Sequence, residues 1–263
     1  MPPDATAPPA APPPPPVVQF EAVSKTYDDG FTAIKDVTFT VEDLPGKGEF
    51  ITVLGPSGCG KSTILRLIAG LRPQFPPTSG RVLVAGRPVA GPGADRGMVF
   101  QDYTAFENRT VEENVAFGLE CRGTLRKERI ELAREWVHKV GLDPRRDGAK
   151  YPHQLSGGMR QRVAIARTLI LNPRIILMDE PFGALDPVTR RRLQDEFLAL
   201  QARLRKTVVL VTHDVAEAFR LADRIAVMEG GTVVQVGAPE AIRAAPASPF
   251  VAAFLDSGGP APS

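Results

Sequence analysis

The stretch Gly55-Pro-Ser-Gly-Cys-Gly-Lys-Ser-Thr63 constrains this chain more than any other. It fits G-x-x-x-x-G-K-[ST]. An apolar, strand-like run, Phe50–Leu54, stands before it, and Ile64-Leu-Arg-Leu-Ile-Ala69, which reads as helix, stands after it. That strand–loop–helix context separates a phosphate-cradling loop from a plain glycine-rich turn. The glycines let the backbone bend so that successive N–H groups point at phosphate oxygens. The helix N-terminus adds partial positive charge. Gly55, Pro56, Ser57, Gly58, Cys59, Gly60, Lys61, Ser62 and Thr63 are therefore the candidate nucleotide-binding residues. Lys61 is expected at the β- and γ-phosphates and the Ser62 hydroxyl on Mg²⁺. Cys59 reads as a small packing residue.

A second motif follows from the first. Arg174-Ile-Ile-Leu-Met-Asp-Glu-Pro181 is a buried strand ending in two acids. Asp179, at the carboxyl end, suits the Mg²⁺ shell. Strand alternation predicts Glu180 on the opposite face, placed to polarise an attacking water. The two motifs together point to a P-loop nucleoside triphosphatase. No Asn-Lys-x-Asp motif is present, which argues against guanine recognition.

The remaining pattern is mixed α/β. Strand-like runs occur at Val17–Val23, Val37–Val41, Phe50–Leu54, Arg81–Ala85, Met98–Phe100, Ile175–Met178, Val208–Thr212, Ile225–Met228 and Thr232–Val236. Continuously apolar runs such as Ile51–Leu54 and Val208–Val211 predict central parallel strands covered on both faces. Residues 103–166 read mainly as helix, with Ile130, Ala133, Val137 and Val140 on one face and Gly141 as a stop. Asp186-Pro187 predicts another helix start. The fold class expected is an α/β P-loop (RecA-like) core, an antiparallel β subdomain and an inserted helical subdomain. The Pro-rich start, residues 1–16, and the Gly/Pro/Ser end, residues 257–263, are expected to be disordered tails around a domain at 17–256.

Composition closes off other classes. Hydrophobic residues make up 43 % and charged residues 24 % of 263, which excludes collagen-like and disordered chains. Two cysteines, Cys59 and Cys121, make neither a zinc site nor a disulfide scaffold. A net charge of +2 gives no support to a nucleic-acid partner. No apolar run approaches the roughly 18–20 residues needed to span a bilayer.

Leu155-Ser-Gly-Gly-Met-Arg-Gln161, lying between the phosphate loop and the acid pair, carries a resemblance. In this order the motifs resemble the nucleotide-binding subunit of ATP-binding-cassette (ABC) transporters. The resemblance covers about Val17 to Asp256. It implies ATP and Mg²⁺ as ligands and ATP hydrolysis as the activity. It implies Tyr27 stacked on adenine, Gln101 as a catalytic and Mg²⁺-shell residue, Asp186 in the D-loop and His213 as a second catalytic residue beside Glu180. It also implies that Ser156, Gly157, Gly158 and Gln161 contact the ATP of a partner chain in a head-to-tail homodimer. Locally this signature is a second anion site, with bare N–H groups, a hydroxyl and a helix N-terminus.

Within the family the chain looks most similar to nitrate/sulfonate/taurine importer ATPases, through Gly97–Thr104, Tyr151–Arg162 and Gln235–Ile242. That resemblance implies separate membrane permease subunits, a periplasmic solute-binding protein and a peripheral place on the cytoplasmic face of the inner membrane. Asp186–Thr189 and Asp195–Phe197 also resemble osmoprotectant importers, and an export or lipid-trafficking ATPase of the same fold is a further alternative. Phe106-Glu-Asn-Arg-Thr-Val111 departs from the nitrate/sulfonate pattern, which carries Pro-Trp there. Tyr103 and Phe106 look exposed, and residues 103–111 are expected to receive a permease helix.

Overall fold

The computed structural model describes residues 15–42, 44, 46–101 and 104–258. Tyr103 and most of both expected tails lie outside them. Among the described residues ten strands form two sheets. The larger has the order β10-β9-β3-β8-β7-β6, comprising β3 (Phe50–Leu54), β6 (Arg96–Val99), β7 (Ile175–Asp179), β8 (Thr207–Thr212), β9 (Arg224–Glu229) and β10 (Thr232–Gly237). All its pairings are parallel except β9 with β10. The smaller sheet is antiparallel, with the order β2-β1-β4-β5, from β1 (Val18–Thr26), β2 (Thr32–Val41), β4 (Ser79–Val84) and β5 (Arg87–Pro88).

The continuous apolar runs earn their place by burial on both faces. On one face, Phe50, Ile176, Met178, Val208 and Leu210 join a core with Phe182 and Phe197. On the other, Ile51, Val53, Ile175, Leu177, Val209 and Val211 join a core with the antiparallel sheet. Alternation along β3, β7 and β8 thus feeds two cores from one sheet. The second core takes the inner stripe of α1 (Lys61–Ala69), including Ile64, Leu65, Leu67 and Ile68.

The helical insertion holds α2 (Val111–Cys121), α3 (Arg126–Lys139), α4 (Pro144–Asp147) and α5 (Gly157–Leu169). A capping box starts α2: the Thr110 side chain accepts from Glu113 N, and Glu113 Oε2 accepts from Thr110 N. In α3, Ala133 and Val137 are buried, and Gly141 ends the run at φ +78. After β7 come α6 (Pro187–Leu204), capped by Asp186, and α7 (Val215–Leu221), capped by Asp214. The chain finishes with α8 (Pro239–Ala244) and α9 (Pro249–Gly258).

Three details differ from expectation. Residues Ser257 and Gly258, read as the start of a tail, complete α9, whose Val251 and Leu255 are anchored in a third core. β5 has no apolar run to announce it. Phe106 is half-buried rather than exposed: its ring packs 4.4 Å from Phe117, and the Arg109 and Arg167 guanidinium groups lie over it. The Asn114 side chain holds the Phe106 backbone at both ends, accepting from its N–H at 2.8 Å and donating to its carbonyl at 3.1 Å.

Phe197 of α6 meets Phe50 of β3 edge-on at 6.2 Å and Phe182 at 6.5 Å. It locks a helix onto the sheet and supports the segment just past β7. Phe197→Ala should therefore cost about 3–5 kcal/mol, read as a lowered urea midpoint. An unchanged midpoint would show that this cluster does not carry the core.

Candidate functional site

The phosphate loop joins β3 to α1 across residues 55–60. Gly58 and Gly60 have φ of +80 and +100, conformations that favour glycine. At Gly60 an added Cβ would stand 2.5 Å from the Ala33 carbonyl oxygen. Only glycine lets the loop pack against β2 while its other side stays open. Gly60 caps α1 without a side-chain bond, and no acid sits in the first turn. The partial positive charge of the helix end is thus not offset by an acid in its own first turn.

Lys61 is only 4 % exposed. Its ammonium donates to the carbonyls of Gly55 and Pro56, both at 2.9 Å, and lies 3.9 Å from Glu180 Oε1. The Ser62 hydroxyl donates to Asp179 Oδ1 at 2.9 Å. Burial pushes the Asp179 carboxyl above its ordinary value, against the opposing Ser62 hydrogen bond. Buried Cys59 packs in the second core, and burial raises its thiol too. Next along, the Thr63 hydroxyl meets the Tyr27 hydroxyl at 3.3 Å. The Tyr27 ring is stacked parallel to Phe31, with centroids 6.4 Å apart.

Glu180 corrects the alternation argument. β7 ends at Asp179, and Glu180 takes φ +43, so the strand rule no longer governs its side chain. Instead of facing away, its carboxylate turns to the same site as Asp179. There it approaches Lys61 and meets His213 Nδ1 at 3.1 Å from Oε2. His213 follows β8 and is 53 % exposed at its side chain, open on its outer side. Gln101 is exposed just past β6. Among the described residues no hydrogen bond joins it to Ser62 or Asp179.

The signature segment lies apart. Ser156 is exposed and caps α5, accepting from Met159 N at 3.3 Å. Gly157 opens the helix, and Gly158 packs so tightly that an added Cβ would meet Thr189 Cγ2 at 2.9 Å. Asp186, at the start of α6, accepts from Thr189 N at 3.0 Å, and its carboxyl is lowered by that neighbour. Gln161 departs from the expectation set for it. It is 0 % exposed, and neither end of its amide has a partner, so it presents nothing to a ligand on another chain. At five residues past Ser156 the helix has carried it inward. Among the described residues no hydrogen bond or ion pair joins Ser156 to the phosphate loop.

The donor set fits Mg²⁺. A desolvated carboxylate and a hydroxyl are hard oxygen ligands, and Mg²⁺ is typically held by one or two carboxylates plus substrate phosphates and water. No cluster of three or more His, Cys, Asp or Glu side chains suited to a dedicated metal cage occurs among the described residues. The sequence reading missed Arg190, which reaches Asp214 beside His213 and the carbonyl of Leu185. Its only sequence signal is its place four residues after Asp186.

Residues 34–183 match the family model described as "ABC transporter". The chain is 57 % identical to an uncharacterized ABC transporter ATP-binding protein of Methanocaldococcus jannaschii, over 69 % of this chain and 66 % of that protein. It is 46 % identical to the Fe(3+) ions import ATP-binding protein FbpC of Brucella abortus, over 93 % of this chain and 67 % of that one. The chain thus spans about two thirds of the length of these relatives. Among solved structures, it resembles the dimeric, post-hydrolysis ATP-binding cassette MJ0796 bound to ADP and Pi. The TM-score is 0.73 at 36 % identity, over 84 % of this chain and 98 % of that one.

Asp179 yields a test independent of turnover. A carboxyl raised by burial destabilises the fold in its charged form, so the penalty is absent at low pH and grows as pH rises through the carboxylate range. Asp179→Asn keeps an acceptor for Ser62 and removes the charge. Without nucleotide or Mg²⁺ it should melt at a higher temperature than wild type near neutral pH, with the gap closing on acidification. A variant that melts lower at neutral pH would contradict this.

Proposed function

Given that this chain belongs to the ABC transporter family, we propose that it is an ATPase motor for import of a small solute through separate membrane permease subunits. The observation that carries the reading is the convergence of Lys61, Glu180 and His213 beside the Ser62–Asp179 pair. An anion-seeking helix end, a lysine, a hydroxyl–carboxylate pair and a second carboxylate oriented by a histidine are the parts that triphosphate hydrolysis requires.

In this reading the triphosphate replaces the Gly55 and Pro56 carbonyls as the partner of the Lys61 ammonium. Main-chain N–H groups of residues 58–63 hold the phosphate oxygens, and the Tyr27 ring supports the base. Ser62 and Asp179 hold Mg²⁺, which when bound neutralises phosphate charge, and Gln101 stands ready to join that shell. Glu180 accepts a proton from the attacking water. His213 fixes the direction of the Glu180 carboxylate and reaches the γ-phosphate from its open side.

Ser156, Gly157 and Gly158 form the second anion site, on a partner's ATP, with Asp186 at the seam between the chains. The exposure of Ser156 and its separation from Lys61 support this arrangement, as does the dimeric state named for the MJ0796 cassette. No helix of the described residues is long and apolar enough to cross a membrane. Reliance on permease subunits at the cytoplasmic face agrees with that. The import direction draws support from the printed name of the Brucella relative. For the solute, residues 97–104, 151–162 and 235–242 favour a nitrate-, sulfonate- or taurine-like anion delivered by a periplasmic binding protein. The same Brucella relative favours iron(III) as a second reading.

Glu180→Gln separates binding from chemistry. It should retain MgATP affinity while hydrolysis falls about 10²–10⁴-fold. Lys61→Ala should lose MgATP affinity itself, because the main cation on the phosphates is gone. Equilibrium binding of a fluorescent ATP analogue and phosphate-release assays read both. Wild-type turnover by Glu180→Gln would remove Glu180 as the base.

A further inference from the structure

We propose that Arg190 is a positioning residue that sets the geometry of the Glu180–His213 pair, and so controls the rate of hydrolysis without taking part in ATP binding. The inference rests on the reading of that pair as the hydrolytic machinery.

Arg190 lies in the first turns of α6 and binds two segments with one planar group. Its Nη1 donates to Asp214 Oδ2 at 3.0 Å, and its Nη2 donates to the Leu185 carbonyl at 3.1 Å, with the Gly183 carbonyl at 3.5 Å. Leu185 and Gly183 belong to the stretch that runs from Glu180 to Asp186. Asp214 directly follows His213. The guanidinium therefore clamps the segment leaving Glu180 to the segment leaving His213, the two residues whose side chains meet at 3.1 Å.

Both clamped segments are otherwise well fixed, so a shift in one is passed to the other through Arg190. Asp214 Oδ1 caps α7 through Glu217 N at 3.0 Å, and Asp214 N donates to the Thr212 hydroxyl. One turn along α6, the Gln194 amide donates to buried Glu217 Oε1 at 3.0 Å, a second tie between the same helix and the same turn. At the other end, Asp186 is the N-cap of the helix that carries Arg190. Asp186, Arg190 and His213 are thus joined through one rigid helix turn. Movement at Asp186, where a second chain would approach, reaches His213 through the guanidinium. Arg190 Nε is buried with no partner, so the guanidinium acts through its two terminal nitrogens. A fixed fork of donors, rather than a positive charge, is what the geometry uses.

The test compares Arg190→Ala, Arg190→Lys, His213→Ala and the double variant Arg190→Ala/His213→Ala in the full chain. MgATP affinity, single-turnover hydrolysis and melting temperature are measured for each. Arg190→Ala should lose about 10²-fold in hydrolysis, the scale of an ångström-sized misplacement, with MgATP affinity unchanged. Arg190→Lys should not recover the rate, because one ammonium cannot bridge Asp214 and Leu185. The double variant should be no slower than His213→Ala alone. Wild-type hydrolysis by Arg190→Ala or Arg190→Lys would overturn the proposal. So would parallel losses of affinity, rate and melting temperature in Arg190→Ala, or a double variant whose losses multiply. If His213→Ala itself turns over at the wild-type rate, the hydrolytic reading of the pair fails and Arg190 falls with it.

Discussion

The uncapped N-terminus of α1, pressed against β2 at Gly60, is the feature on which the rest of the structure depends. Its N-cap, Gly60, has no side chain to bond the first N–H groups, and the Lys61 ammonium turns back onto the loop carbonyls. The loop is held in a definite shape by contacts that only glycine permits. A site of this kind stores affinity for an anion in backbone groups that cannot relax away from it.

Sheet order then supplies the chemistry. β3, β8 and β7 are neighbours in the parallel sheet, and Lys61, His213 and Glu180 all follow their carboxyl ends. Three residues far apart in sequence meet because parallel strands deliver their loops to one edge. Apolar burial on both faces of these strands fixes their register, and hence the spacing of the loops they carry. The positive φ of Glu180 is the local departure from this regularity. It turns a side chain that alternation would send away into the cluster. The burial penalty on Asp179 is a second departure, one that a bound cation would relieve.

Much of this was legible from the residues. Strands buried on both faces announce themselves as continuous apolar runs, and the phosphate loop combines rare residues at fixed spacing. Asp186-Pro187 marks a helix start through a side-chain oxygen and proline geometry. What escaped has physical reasons. β5, at Arg87-Pro88, is held by two pairings to β4 and has no apolar pattern to show. The inward turn of Phe106 depends on Asn114 and Phe117, partners in the next helix that no local pattern names. Gln161 was placed at a partner chain's ATP by the family resemblance alone, yet its position on α5 buries it. Arg190 was silent because Asp214, 24 residues further along, becomes its neighbour only in the folded chain.

In the proposed arrangement catalysis needs the phosphate loop of one chain and the Ser156 segment of another. A mixture of Lys61→Ala chains with Ser156→Arg chains tests it most directly, since each variant alone should be inactive. If the sites are shared, one composite site in the mixed dimer carries both lesions and the other carries none. ATP hydrolysis should then return on mixing. If each chain closes its own site, every site keeps one lesion. A mixture as inactive as its components, with mixed dimers demonstrably formed, would contradict the shared site.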